Sequence, residues 1–226
     1  NRKALILNVN IHAINLALRQ AWLRDFLGQA QLVFCDGDGV RWGIKCLGLT
    51  PPPKITYDRW IWQLADFCQK QNYSLYFLGS EPGIAEEAAR RLKTVCPDLK
   101  IAGTHHGYFE KEGDENEKII SEINRVQPDI LIVGFGMPIQ EKWLSANWGK
   151  LKTHIFLTGG AAFQCASGQL ASPPDWVIRW QMEWLFRLWQ QPLRRFKRYV
   201  FGIPYFFMHI FWEKWKQFFN AESRTL

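Results

Sequence analysis

The sequence has few cysteines and none that pair by spacing. Cys35, Cys46, Cys68, Cys96 and Cys165 form no C-x-x-C and no zinc-like pattern. Their odd number excludes a closed disulfide framework, so we expect buried thiols and a reducing compartment. Long apolar runs are missing too. The longest uncharged stretch near the C-terminus, Tyr199 to Trp212, has 14 residues, whereas a bilayer span needs roughly 20. There is no G-x-G-x-x-G fingerprint, which disfavours a nicotinamide-dependent enzyme. Internal repeats and low-complexity segments are absent. Apolar residues make up 47% of the 226, which excludes a disordered chain.

What the chain has in excess is aromatic residues, with 12 Trp and 16 Phe. Half of each lies in residues 176–226, and so does most of the net charge of +7. Residues 1–175 carry 19 basic and 18 acidic side chains; residues 176–226 carry nine and three. A near-neutral body with a basic, aromatic tail points to a partner that is anionic and apolar. A membrane surface fits this better than a nucleic acid, which would call for a basic body as well.

Short apolar runs without alternation read as strands: Ala4–Val9, Leu32–Cys35, Leu75–Leu78, Leu99–Ala102, Ile130–Phe135 and Ile155–Leu157. Helical patterns cover 11–28, 58–71, 82–95, 115–126 and 139–149, with Pro82 and Pro138 suited to first turns. This order predicts an α/β fold: a Rossmann-like, mostly parallel sheet with helices on both faces. Residues 1–175 form the expected catalytic domain. Residues 176–226 form a helical appendage of two or three helices, broken near Pro192 and near Gly202–Pro204. The chain starts at Asn1 in a strand-like run, so we expect an N-terminal piece to precede it.

Ligands of such sheets bind beyond the C-terminal strand ends. After Leu32–Cys35 comes Asp36-Gly37-Asp38-Gly39. This is a turn, a strand-end base or nucleophile, or a pair of carboxylates for a divalent cation. The run resembles the start of the haloacid-dehalogenase phosphatases, with Ser80 where their second motif falls. A metal-dependent hydrolase on Asp36 and Asp38 is therefore the alternative function. The acid that family places on a later strand end is absent from Gly134-Phe135-Gly136. Gly79-Ser80-Glu81-Pro82-Gly83 offers backbone N–H groups to a diphosphate. Thr104 and Tyr108 stand in Gly103-Thr104-His105-His106-Gly107-Tyr108-Phe109, where Tyr108 offers a flat ring to a base. Gln140 follows Gly136 in a new first turn; Glu141 and Lys142 beside it read equally as solvated helix residues. Gly159 and Gly160 repeat the strand–glycine–helix theme.

Together, C-D-G-D-G-V at 35–40, G-T-H-H-G-Y-F at 103–109, G-F-G-M-P-I-Q-E-K-W at 134–143, T-G-G-A-A-F at 158–163 and E-W-L-F-R-L-W-Q-Q-P-L-R-R at 183–195 resemble the WecG/TagA/CpsF family, glycosyltransferase family 26. The resemblance implies inverting transfer of an N-acetylmannosamine-type sugar, or its uronic acid, from a UDP donor. The implied acceptor is a polyprenyl-diphosphate-linked N-acetylglucosamine, in the synthesis of bacterial cell-surface polysaccharide or teichoic acid. It puts the base on Asp36, a polar active-site residue on Gln140, and the uracil-side tyrosine on Tyr108. The N-terminal polar loop falls on Asn8 and Asn10, and Gly37 adjoins the base. Arg187, Arg194, Lys197 and Arg198 would stabilise the leaving diphosphate. Projected as one helix, Arg187, Arg194 and Arg198 share a face within roughly 40°. An i,i+4 pair of Glu183 with Arg187 is the plainer reading of those two.

The resemblance implies no cofactor and no metal; Asp38 is the one departure that would suit a metal. The chain also departs at Gln164, where the family has a ribose-side carboxylate, and at Ser172. The implied location is the cytoplasmic face of the bacterial plasma membrane, as a peripheral protein. Phe206, Phe207, Ile210, Phe211, Trp215 and Phe218 form the stripe expected to lie in the headgroup region or to make a homo-oligomer contact.

Overall fold

A computed structural model describes residues 3–222, with the side chains of Arg194 and of 220–222 outside the description. In chain order the elements are β1 (Ala4–Val9), α1 (Ile11–Arg19), α2 (Ala21–Gly28), β2 (Leu32–Cys35), α3 (Asp38–Cys46), α4 (Tyr57–Gln71), β3 (Ser74–Gly79), α5 (Ile84–Val95) and β4 (Lys100–His105). They continue with α6 (Gly113–Val126), β5 (Ile130–Gly134), α7 (Ile139–Asn147), β6 (Ile155–Thr158), α8 (Ala162–Ala166), α9 (Asp175–Arg179), α10 (Glu183–Gln190), α11 (Pro192–Val200) and α12 (Gly202–Glu222).

The six strands form one sheet in the order β2-β1-β6-β5-β3-β4. The pairs β1–β6, β6–β5, β5–β3 and β3–β4 are parallel. The α/β, Rossmann-like expectation is met. Strand β5 is buried at every residue and β3 at all but its first, which is why these runs show no alternation.

The chain divides into two compact units. Unit one comprises 1–7, 22–33 and 56–172; unit two comprises 8–21, 34–55 and 173–226. Unit one's core joins Leu5, Leu7 and Phe26 to Tyr76, Leu78, Leu131, Val133 and Phe156 of the strands, and to Ile119, Ile120, Trp143 and Leu144 of the helices. In unit two, α12 lies on α1 and α3, so the C-terminal segment is folded together with residues 8–21 and 34–55.

Several boundaries differ from expectation. The predicted helix 11–28 is two helices, because Gln20 is extended (φ −127°, ψ 103°) while its N–H still closes α1 on Leu16. Pro82 lies in a turn ahead of α5, whose cap Gly83 has φ +83°. Pro138 caps α7 from outside instead of opening it. Thr104 and His105 belong to strand β4 and not to the loop after it. Among the described residues the appendage has four helices where two or three are expected, with the expected breaks beside Pro192 and Gly202.

Candidate functional site

In unit two the strand ends of β1 and β2 adjoin, and Asp36 N–H donates to Val9 O at 2.8 Å. Asp36 therefore leaves the sheet beside the residues that open α1. Asn10 caps that helix: its Oδ1 accepts from Ala13 N–H at 3.1 Å. The same oxygen accepts from Arg198 Nη2 at 2.9 Å. Asn10 and Arg198, read from opposite ends of the chain, are thus brought together. His12 sits by them; burial first, then the Arg198 charge, lower its pKa to about 4. Asn8, on strand β1, is buried, with 1% exposure.

Gly37 carries the chain from Asp36 into α3 at φ +98°, a conformation that favours glycine. Asp38 then opens α3 and is buried. Its Oδ1 accepts from Arg41 Nη1 at 3.0 Å and its Oδ2 from Lys54 Nζ at 2.7 Å. Both carboxylate oxygens face cations, which opposes the sequence reading of Asp38 as a metal ligand. Among the described residues no group of three or more His, Cys, Asp or Glu is placed to hold a metal ion. Lys54 Nζ also reaches Glu183 Oε2 at 2.8 Å. Burial works against the Lys54 charge, yet hydrogen bonds to Asp38 and Glu183 hold its pKa above the ordinary lysine value.

Arg187 lies on α10, with Gln190 Oε1 3.4 Å from its Nη1. Arg194, Lys197 and Arg198 lie on α11. Gln191, between the helices, has φ −138° and ψ 63°, so the single-helix projection of the arginines does not hold. Lys197 is exposed, Arg187 and Arg198 are half-buried, and the Arg194 side chain lies outside the described residues.

In unit one the strand ends are laced by their own backbone. Ser80 N–H donates to Gly134 O (3.0 Å), Gly107 N–H to Ser80 O (2.7 Å) and Gly159 N–H to Val133 O (2.7 Å). A Cβ on Gly79 would collide with Gly134 O, which explains glycine at that strand end. Gln140 is wholly buried. Its Oε1 accepts from Gly136 N–H (3.2 Å) and Gly160 N–H (3.1 Å), and its Nε2 donates to Glu141 Oε1 (2.7 Å). Gln140 therefore ties two glycine turns together, and the N–H groups of Gly136, Gly159 and Gly160 are bonded within the protein. The sequence places Gly136, Gly159 and Gly160 among the expected substrate-binding residues and Gln140 among the catalytic ones; in the structure these groups bond to one another or to Val133 O.

Glu141 is not a solvated helix residue: it is 2% exposed, and burial raises its pKa to about 7. Tyr108 projects from the loop after β4, 67% exposed, with its ring open for stacking. Lys111 Nζ holds that loop through Gly107 O (2.6 Å) and Phe109 O (2.9 Å), 3.5 Å from the Phe109 ring centre. Gln164 is half-buried on α8. Sequence reasoning missed Lys54, Arg41, His12 and Lys111. Only the basic charge near the Asp-Gly run hinted at the first two.

The profile of the glycosyl transferase WecG/TagA/CpsF family matches residues 1–220. Among curated proteins, the chain is 26% identical over 195 residues to the N-acetylglucosaminyldiphosphoundecaprenol N-acetyl-beta-D-mannosaminyltransferase of Bacillus spizizenii, covering 86% of this chain and 74% of that one. The identically named protein of Bacillus subtilis is 24% identical, covering 84% of this chain and 73% of its own length. That of Staphylococcus aureus is 25% identical, with 80% and 70% covered.

Proposed function

The chain belongs to the WecG/TagA/CpsF family of glycosyl transferases, and from that premise we propose that it moves an N-acetylmannosamine-type sugar from a UDP donor to a polyprenyl-diphosphate-linked N-acetylglucosamine. The observation that carries this reading is the family match over nearly the whole chain; the position of Asp36, the acid that the motif resemblance points to, just past the C-terminal end of β2 supports it. The chemistry requires a base for the acceptor hydroxyl and positive charge for the departing diphosphate.

Asp36 takes the proton of the acceptor 4-hydroxyl as that oxygen attacks the anomeric carbon. The bond to the UDP oxygen breaks on the opposite face, so the centre inverts. UDP leaves with its electron pair, and Arg187, Arg194, Lys197 and Arg198 are the cations assigned to it. Asn10 holds Arg198 by the 2.9 Å hydrogen bond. Tyr108 stacks on the uracil. Gln140 acts one step back, shaping the turns at Gly136 and Gly160. No cofactor beyond the UDP-sugar enters this scheme. The exposed basic and aromatic tail suits a peripheral protein at the cytoplasmic face of the bacterial plasma membrane, where such an acceptor is held.

The test is sugar transfer from UDP-N-acetylmannosamine to a short-chain lipid-diphosphate N-acetylglucosamine, followed by mass spectrometry. The protein should form the disaccharide lipid. Asp36→Asn should lower kcat by about 10³-fold while keeping the wild-type Tm. Wild-type turnover in Asp36→Asn removes Asp36 as the base.

A further inference from the structure

Lys54 sits where three parts of unit two meet. Its backbone forms a parallel bridge with Cys35, and Ile55 N–H donates to Cys35 O at 3.0 Å. The lysine therefore rides on the strand end from which Asp36 emerges. Its side chain runs to Asp38 at the start of α3 and to Glu183 at the start of α10. Arg41 closes the group, bonding Asp38 through Nη1 and Pro52 O through Nε at 3.0 Å.

Two cations and two carboxylates balance in charge, and their side chains are only 7–27% exposed. Such a network is little screened by salt and is set by geometry. Nothing local explains it. Asp38 has Arg41 within its own helix already, so a lysine from residue 54 is not needed to neutralise it. What Lys54 adds is a link across 129 residues of sequence.

We propose that Lys54 is a positioning residue: its ammonium latches α10, which carries Arg187, to the loop that carries Asp36. The latch sets the base loop and the arginine-bearing helices in one arrangement. This rests on the transferase reading for its effect on rate, but the latch itself is a physical link measurable without substrate. It also accounts for an acid at position 38, since that carboxylate is half of the catch.

The test compares Lys54→Met, which keeps the stem and removes the charge, with Lys54→Arg, which keeps the charge. In Lys54→Met, hydrogen exchange of amides 183–200 should rise about tenfold, the equivalent of about 1.4 kcal/mol. Transfer kcat should fall tenfold or more and UDP affinity should weaken with it, since the latched helices carry the diphosphate cations; removing a partner of two buried carboxylates also lowers Tm. Lys54→Arg should restore slow exchange and most of kcat. Glu183→Gln, which breaks the same link from the other side, should reproduce the exchange change and serves if Lys54→Met does not fold. Unchanged exchange in both Lys54→Met and Glu183→Gln overturns the latch. Exchange that rises equally at all amides of unit two in Lys54→Met, with no excess at 183–200, reduces Lys54 to ordinary stabilisation and overturns it also. A wild-type protein that exchanges as expected but transfers no sugar refutes the transferase reading and leaves the latch standing.

Discussion

Glu141 shows how a single residue can differ from its appearance in sequence. Beside Lys142 on an amphipathic helix it looks solvated, yet only Lys142 is exposed. One Glu141 oxygen orients the Gln140 amide; the other, Oε2, is buried without a hydrogen-bond partner. A primary amide has two orientations, and only one turns its oxygen to the N–H groups of Gly136 and Gly160. Glu141 selects that one. Burial lifts its folded pKa from 4.5 to about 7, so the folded protein holds a proton that the unfolded chain loses. Stability is then greatest below pH 4.5 as far as this group is concerned, falls as pH rises to about 7, and is level above. The whole effect is on the order of 3 kcal/mol. In Glu141→Gln the fall between pH 5 and 7.5 should shrink, measured by urea unfolding; an identical pH slope in the variant would falsify the assignment. That Asp36, Asn10 and Tyr108 stand in loops just past strand ends is legible in the sequence, because motif and strand end coincide there. Gln140 was legible as important but not in its role, since its partners lie 4 and 20 residues away.

At the scale of elements, unbroken apolar runs mark the strands: β1 and β2 have the expected bounds, and the ends of the other four differ by at most three residues. Helix α3 was not read at all. Its sequence D-G-V-R-W-G-I-K-C has two glycines, which weaken any helix reading by about 1 kcal/mol each. Both glycines answer to packing: a Cβ on Gly39 would collide with Ile11 of α1, and one on Gly43 would lie 2.6 Å from Phe206 Cζ of α12. The helix gives up propensity so that two other helices can lie close. Phe206, expected in the lipid-facing stripe, is instead 2% exposed against that notch, with Ile210 beside it. Gly43→Ala should therefore lower stability by about 1–3 kcal/mol despite alanine's better helix propensity, and should speed proteolytic cleavage within 201–210. Denaturant unfolding with limited proteolysis measures both; a gain in stability would show that the notch yields easily.

At the scale of the whole molecule, the basic and aromatic tail is not uniform. Its first part is fastened within unit two by Trp42 Nε1 to Gln181 (3.0 Å), Asn15 Nδ2 to Gly202 O (2.7 Å) and Arg19 over the Tyr205 ring (4.1 Å). The end of α12 is different: Phe211, Trp212, Trp215, Phe218 and Phe219 are 48–61% exposed, with Lys214 and Lys216 among them. No helix among the described residues is long and apolar enough to cross a membrane. Trp180, Trp189, Leu193 and Phe201 of the earlier tail are exposed as well, but the longest run of exposed aromatics interleaved with lysines is 211–219, and truncation before Phe206 would damage the fold. The full chain should co-sediment with vesicles containing anionic lipid, and a chain ending at Ile210 should not. Equal sedimentation of the two would remove the membrane role from α12.

The sequence by itself determined the α/β class, the strand-end loops, the family resemblance and the concentration of charge in the tail. These follow from local apolar runs and from short motifs, which need no knowledge of distant neighbours. Only the tertiary structure decided that Asp38 serves an ion network, that Gln140 braces two turns, that Arg198 meets Asn10 and that Phe206 is buried. Each of those depends on contacts between residues far apart in the chain, and a buried charge or a notch for a ring has no local signature.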